Sequence, residues 1–193
     1  EIYTRPFAID WNSTAPSGKL SITGLLNLIQ LTAGEHATLC GFGFYDMRRE
    51  GQAWVLTRMK MRFTSMPRWN EEIEISTWIE NMTGSISVRN LSFSHHGETF
   101  AQISTVWVCL SLEKHTPETI KAPCPDFLIH PEKTLEISTA GRVKIPTQPA
   151  TLREYKVSFS DIDAMGHVNN IKYTQWILDS IPYKDAVSIT SGE

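Results

Sequence analysis

The chain has 193 residues, 41% hydrophobic and 20% charged, with a formal net charge of −3 and a pI near 6.1. That is ordinary globular composition, with room for one large core or two small ones. It offers no basic field to attract nucleic acid, and no apolar run reaches the roughly 18 residues of a membrane span. Cys40, Cys109 and Cys124 are odd in number and lack metal-ligand spacing, so a reducing cytoplasm fits them best. The first residues do not read as a secretory signal, and the N-x-S/T triplets at Asn12, Asn81 and Asn90 therefore carry no weight.

In chain order, residues 3 to 9 read as a short strand. "SITGLLNLIQLTAGEHATLCG" reads as a helix over 21–39, with Ser21 as N-cap and Gly41 as stop. Its apolar residues cover more than one face, which predicts burial. Gly24 and Gly34, both poor helix formers, imply close packing against a sheet. Strands follow. "AWVLTRMKMRF" alternates, with Arg58, Lys60 and Arg62 on one side and Thr57, Met59, Met61 and Phe63 on the other. "EEIEISTWI" is a second strand, and "SISVRNLSFSHHGETFAQISTVWVCLSL" a hairpin turning at His96-Gly97, its second strand apolar on both faces like a central one. One buried helix followed by antiparallel strands describes an α+β sheet wrapped around a helix; another α+β sandwich remains open on pattern alone.

Between residues 116 and 150 six prolines (Pro117, Pro123, Pro125, Pro131, Pro146 and Pro149) argue for a linker lying across a surface. "REYKVSFSD" then reads as a strand and "HVNNIKYTQWILDSI" as a helix over 168–181. This is a second copy of the first unit at an offset of 148: Gly18 falls on Gly166, Trp11 on Phe159, Leu20 on Val168 and Ile29 on Ile177. "WNEEIEIST" is also similar to "YKDAVSITS", which reads as a strand starting abruptly after the helix, but at an offset of 114, a shortfall of 34. The expectation is that a stretch is absent near Pro182-Tyr183, with further strands beyond Glu193. A shortened second unit is the alternative.

The start of the second helix gathers ionisable groups in "SDIDAMGHVNN". A carboxylate, Asp163, lies four residues before His167. The backbone N–H groups of Gly166, Val168 and Asn169 sit where a helix N-terminus can hold developing negative charge. A carboxylate can orient or deprotonate water and a histidine can hold or protonate a reacting carbonyl, which suits hydrolysis of an activated acyl group. The first copy has Ala15 and Lys19 at these places. The competing reading is that Asp161, Asp163 and the asparagines only cap the helix and bond their own backbone. No G-x-S-x-G, H-E-x-x-H or P-loop occurs, and "GFGFYD" lacks the third glycine of a dinucleotide fingerprint.

The segments "WVLTRMKMRF", "PRWNEEIEISTW", "STVWVCL" and above all "SDIDAMGHVNNIKYTQWILDSIP" resemble the acyl-acyl carrier protein thioesterases, a plant and bacterial family. The resemblance implies a double hotdog, two tandem units each with an antiparallel sheet around a helix, the second incomplete. Residues 1–115 would be the first unit, on the substrate-tunnel side; 116–150 the linker; and 151–193 the part of the second unit that carries the site.

It implies hydrolysis of fatty acyl thioesters on acyl carrier protein, with no cofactor or metal and with a homodimer compatible. In the family an aspartate is followed after two residues by an asparagine and after two more by a histidine. Asp163 and His167 match, while Met165 stands at the asparagine position. A further acidic residue of the family would fall in the stretch expected to be absent. Arg58, Lys60 and Arg62, with Arg48 and Arg49, are candidates to dock an acidic carrier protein, against a bland reading in which the strand face pairs with the glutamates of "EEIE". The rival functions are an acyl-coenzyme A thioesterase and a non-catalytic acyl-binding module.

Overall fold

In the computed structural model, which describes residues 2–144, 147 and 153–193, the early part of the chain builds one sheet around one helix. Five strands, β1 (Tyr3–Ala8), β2 (Gln52–Phe63), β3 (Glu72–Thr83), β4 (Ile86–His95) and β5 (Glu98–Ser111), pair antiparallel in the order β1-β3-β4-β5-β2. Helix α1 (Ile22–Leu39) is capped by the Ser21 hydroxyl, which accepts from the Gly24 N–H. Its Leu25, Leu26, Leu28 and Ile29 enter one cluster with Phe63, Ile75, Leu91, Phe93 and Ile103 from four strands. Each such fully buried side chain contributes roughly 2 kcal/mol relative to exposure. A short helix α2 (Phe44–Arg49) follows, its first turn held by Asp46, whose carboxylate accepts from the Gly43 N–H.

The alternation in β2 is real but interrupted. A bulge between Leu56 and Arg58 leaves Thr57 unpaired and resets the parity, so Trp54 faces inward ahead of it and Met59, Met61 and Phe63 after it. A second bulge, between Ile79 and Asn81 of β3, lets Ile79 and Met82 face the same cluster. The hairpin joining β4 and β5 turns at His96 and Gly97, both at positive φ, the backbone of a type I′ turn.

The close packing expected at Gly24 is present, but its partner is different. A Cβ there would lie 2.3 Å from the carbonyl oxygen of Ser13, in the turn before the helix, and not against the sheet. Gly34 has nothing within 4 Å of a notional Cβ; it borders a cavity. The proline-rich segment forms no strand as far as it is described; it makes a 3-10 turn at Asp126–Leu128, and its Ala122 and Leu128 join the cluster of Phe42, Met47 and Ile79. Lys133 O accepts from Trp78 Nε1 at 2.7 Å, and Leu128, Ile137 and Ala140 of the segment are themselves buried. Pro146 and Pro149 lie outside the described residues.

The second copy repeats the turn and the helix start but not the sheet. Residues 11–13 and 159–161 are both 3-10 turns, and the bridges Thr14 to Leu20 and Ile162 to Val168 correspond at the same offset of 148. Gly18 and Gly166 share a left-handed φ of +73° and +78°. Helix α3 is Asn170–Leu178, shorter than the 168–181 expected, because the Asn169 side chain caps it by accepting from the Ile171 N–H.

"REYKVSFSD" is not a strand. No neighbouring strand lies beside its described residues; side chains hold it to α3 instead, Tyr155 OH donating to Trp176 O at 2.8 Å with the two rings stacked. "YKDAV" is also helical, in α4 (Tyr183–Ser188), which starts directly behind Pro182. On either side of this corner the backbone is bonded locally, Ile181 N–H donating to Leu178 O and Ala186 N–H to Pro182 O. A single five-stranded sheet is therefore present among the described residues, and α3 packs on α1 without strands of its own around it.

Candidate active site

The loop between the 3-10 turn at Phe159–Asp161 and α3 fixes Asp163. Its backbone N–H donates to His167 O at 2.8 Å and its carbonyl accepts from Gly166 N–H, which closes the loop. Its carboxylate Oδ1 accepts from the N–H groups of Met165 (2.8 Å) and His167 (3.2 Å). Oδ2 makes no hydrogen bond among the described residues, so one oxygen positions the side chain and the other is available. Asp163 is half-buried and the His167 side chain exposed. Asp161 has a different role. Its carboxylate is buried, accepts from Ser158 N–H at 2.8 Å and lies 3.4 Å from Lys172 Nζ, so it stabilises the turn.

The anion-holding amides expected here are mostly in use. Gly166 N–H donates to Asp163 O, Asn169 N–H to Asp161 O, and His167 N–H to the Asp163 carboxylate. The Val168 N–H is the one in this run without an acceptor among the described residues. His167 precedes the first helical residue instead of standing on the helix, because Asn169 takes the capping position. No hydrogen bond joins the Asp163 and His167 side chains among the described residues.

The resemblance put a substrate tunnel on the side of the first unit; what sequence reasoning missed is which residues wall the cavity that this loop faces. Met165 lines a cavity of about 200 Å³ whose other walls belong to the first unit. Ala33, Gly34 and Ala37 come from α1, Phe42 and Met47 from α2 and the turn before it, Trp54 from β2, and Arg89 and Trp107 from β4 and β5. Gln30, also on this wall, reaches the Asn169 side chain at 3.4 Å and ties the two units beside the loop. The small residues of α1 at i, i+1 and i+4 were the available signal: they leave the space that the walls enclose.

Arg89 is buried in that wall. Its Nη1 donates to His36 Nδ1 at 2.6 Å and to Thr77 Oγ1 at 3.2 Å. Burial lowers its pKa to about 10, so it stays charged at neutral pH. Of the basic residues read as a docking face, Lys60 and Arg62 both pair with Glu193, at 2.8 Å and 2.5 Å. The glutamates of "EEIE" cannot reach them, since β2 and β3 are on opposite sides of β4 and β5. Arg49 pairs with Asp46, and exposed Arg48 lies over the Phe44 ring at the cavity rim. Among the described residues no cluster of histidine, cysteine and acidic groups could hold a metal ion. No helix there is long and apolar enough to cross a membrane.

A sheet curled around one central helix, with a second helix start set against its cavity, is the hotdog class of α+β fold. Residues 1–125 match the family model described as the acyl-ACP thioesterase N-terminal domain, and residues 145–188 that of the acyl-ACP thioesterase C-terminal domain. The chain belongs to the acyl-ACP thioesterase family.

It is 29% identical over 197 residues to a chloroplastic palmitoyl-acyl carrier protein thioesterase of Gossypium hirsutum, covering 94% of this chain and 47% of that protein. It is 28% identical to a chloroplastic oleoyl-acyl carrier protein thioesterase of Arabidopsis thaliana, covering 92% and 52%. The chain thus spans about half the length of the curated relatives it matches. Among solved structures, an acyl-ACP thioesterase from Bacteroides thetaiotaomicron superposes with a TM-score of 0.85 at 28% identity, covering 95% of this chain and 74% of that one. A 12:0-ACP thioesterase from Umbellularia californica shares the fold, with a TM-score of 0.72 at 22% identity.

Proposed function

We propose that the complete protein hydrolyses fatty acyl thioesters carried on acyl carrier protein, releasing free fatty acid during fatty acid biosynthesis. The observation that carries this reading is the seating of the Asp163 loop, through Met165, on an apolar cavity built by the other unit. An acyl chain in that cavity would bring its thioester carbonyl to the loop. Asp163 Oδ2 then orients or deprotonates a water; the water oxygen bonds to the carbonyl carbon, the C–S bond breaks, and the proton ends on the departing thiolate. The Val168 N–H and the His167 ring are the groups at the loop that support the oxyanion or the leaving sulfur. The names of the relatives, palmitoyl and oleoyl acyl carrier protein thioesterases, favour the carrier-bound substrate over the coenzyme A ester.

A non-catalytic acyl-binding module is the second reading, favoured by the use of Asp163 Oδ1 to hold two backbone amides of its own loop. Hydrolysis of a panel of acyl-carrier-protein and acyl-coenzyme A substrates by the complete protein, wild type and Asp163→Asn, decides between them. Turnover that needs Asp163 supports the enzyme; no turnover on any substrate supports the module. The odd number and spacing of the cysteines fit a reducing compartment, the cytoplasm included. The plant relatives are named as chloroplastic.

A further inference from the structure

Arg89 makes its two hydrogen bonds through Nη1 alone, and both acceptors are neutral. A guanidinium only donates, so His36 Nδ1 is the acceptor and the proton of that ring is on Nε2. Nε and Nη2, the side of the fork that matches a carboxylate, bond to nothing among the described residues. No aspartate or glutamate there forms an ion pair with Arg89, although the residue is only 4% exposed. A buried cation without a counter-charge is costly to maintain, and this one lines a cavity that also has alanine, aromatic and methionine walls, with Gln30, Gln52, Ser87 and Arg48 as its other polar side chains.

We propose that Arg89 makes this cavity a binding site for the carboxylate head of a free medium-chain fatty acid, held bidentate by Nε and Nη2 with the alkyl chain along Ala33, Ala37, Trp54 and Trp107. A thioester presents no such anion, so the site separates free acid from carrier-bound acyl group. Free acid of this class would occupy the space an acyl chain needs and oppose its entry. The inference requires the cavity and not hydrolysis, so it stands or falls separately from the catalytic reading.

The test is calorimetric titration of the full chain with octanoate and, as the neutral analogue of the same length, octanamide. Wild type binds octanoate about tenfold more tightly, the discrimination expected of a charge-assisted bidentate contact. Arg89→Met removes the difference, whereas Arg48→Gln, at the exposed rim, leaves it in place. Equal affinity for the two ligands, no binding of either, a preference that survives Arg89→Met, or one that disappears with Arg48→Gln overturns the proposal. If Arg89→Met does not fold, Arg89→Gln, which can still donate to His36 and Thr77, is read in the same way.

Discussion

Ser21 and Asn169, 148 positions apart, do the same work at the starts of α1 and α3. Each side chain caps its helix, and each backbone N–H donates at 2.8 Å to a carbonyl eight residues earlier, that of Ser13 or Asp161. The loops between are bonded alike, Ala15 N–H to Lys19 O in one and Asp163 N–H to His167 O in the other. The backbone is one design used twice, and only the second copy carries an aspartate and a histidine, Asp163 and His167, where the first has Ala15 and Lys19.

The glycines of the two loops test that equivalence. Gly18 and Gly166 have positive φ and open space around a notional Cβ, so alanine meets only the backbone penalty of the left-handed region. Gly18→Ala and Gly166→Ala should each cost about 1–2 kcal/mol in denaturant unfolding. Gly24→Ala should cost clearly more, because its Cβ would be driven into the Ser13 carbonyl. Equal losses at all three sites would deny the close approach of α1 to its turn.

Asp161 and Asp163 should separate into stability and activity. Asp161→Ala removes the acceptor for Ser158 N–H and the partner of Lys172. It should lower stability by about 1–2 kcal/mol and leave turnover of the folded fraction close to wild type. Asp163→Asn keeps an oxygen for the Met165 and His167 amides but cannot take a proton from water. It should hold its thermal midpoint and lose most single-turnover hydrolysis. A folded Asp163→Asn protein with normal turnover would remove this carboxylate from the mechanism.

Glu193 is held below the ordinary carboxylate range by Lys60 first and Arg62 next. A depressed carboxyl contributes stability above its ordinary pKa of 4.5, and that contribution is lost as the pH falls through the lower folded value. Glu193 is exposed, so the effect should be small and should fade with salt. Glu193→Gln should flatten the acid limb of the stability profile slightly at low ionic strength. It also releases Lys60 and Arg62. If that face docks carrier protein, the variant should use acyl-carrier-protein substrates better at low salt while coenzyme A substrates are unchanged.

Thiol labelling should order the cysteines. Burial pushes the Cys109 thiol up to about 11, and the residue has no exposed surface. Cys40 and Cys124 are half-buried. Iodoacetamide at pH 8 should therefore modify Cys40 and Cys124 first and Cys109 only as the protein unfolds, which peptide mass spectrometry resolves. Early modification of Cys109 would place β5 outside the core.

The first unit was legible because each of its signals is local: the capping serine, the period-2 runs, and the His96-Gly97 turn between two of them. The repeat was legible because Gly166 and the loop around it preserve a backbone pattern despite low identity. "REYKVSFSD" and "YKDAV" were misread as strands for one reason. Their residues alternate well enough, but a strand exists only where another strand supplies the ladder, and Tyr155 and Pro182 direct these segments to α3 and α4 instead. The bulge at Thr57 depends on how β2 pairs with β5, and the partner of Lys60 and Arg62 on the return of residues 192 and 193 to the end of β2; no local pattern encodes either. Arg89 reads as one more polar residue in a strand until the inward register of β4 places it against His36.

Met165 offers the sharpest test of how loop and cavity work together. Its backbone N–H donates to Asp163 Oδ1 at 2.8 Å, a bond any residue would make there. Its side chain is half-buried and lines part of the cavity. The family resemblance places an asparagine at this position, so the thioether is a substitution of an apolar wall for an amide. Met165→Asn keeps the backbone bond, shortens the side chain and offers a donor beside Asp163. Little apolar surface is fully buried at this site, so the thermal midpoint should shift only slightly. Single-turnover hydrolysis of an acyl-carrier-protein substrate should be at least that of wild type, since the added amide can hold the water or the carbonyl. A folded Met165→Asn protein that hydrolyses much more slowly would mean that the thioether itself seats the acyl chain. The cavity wall, and not the amide, would then be the part of this loop on which turnover depends.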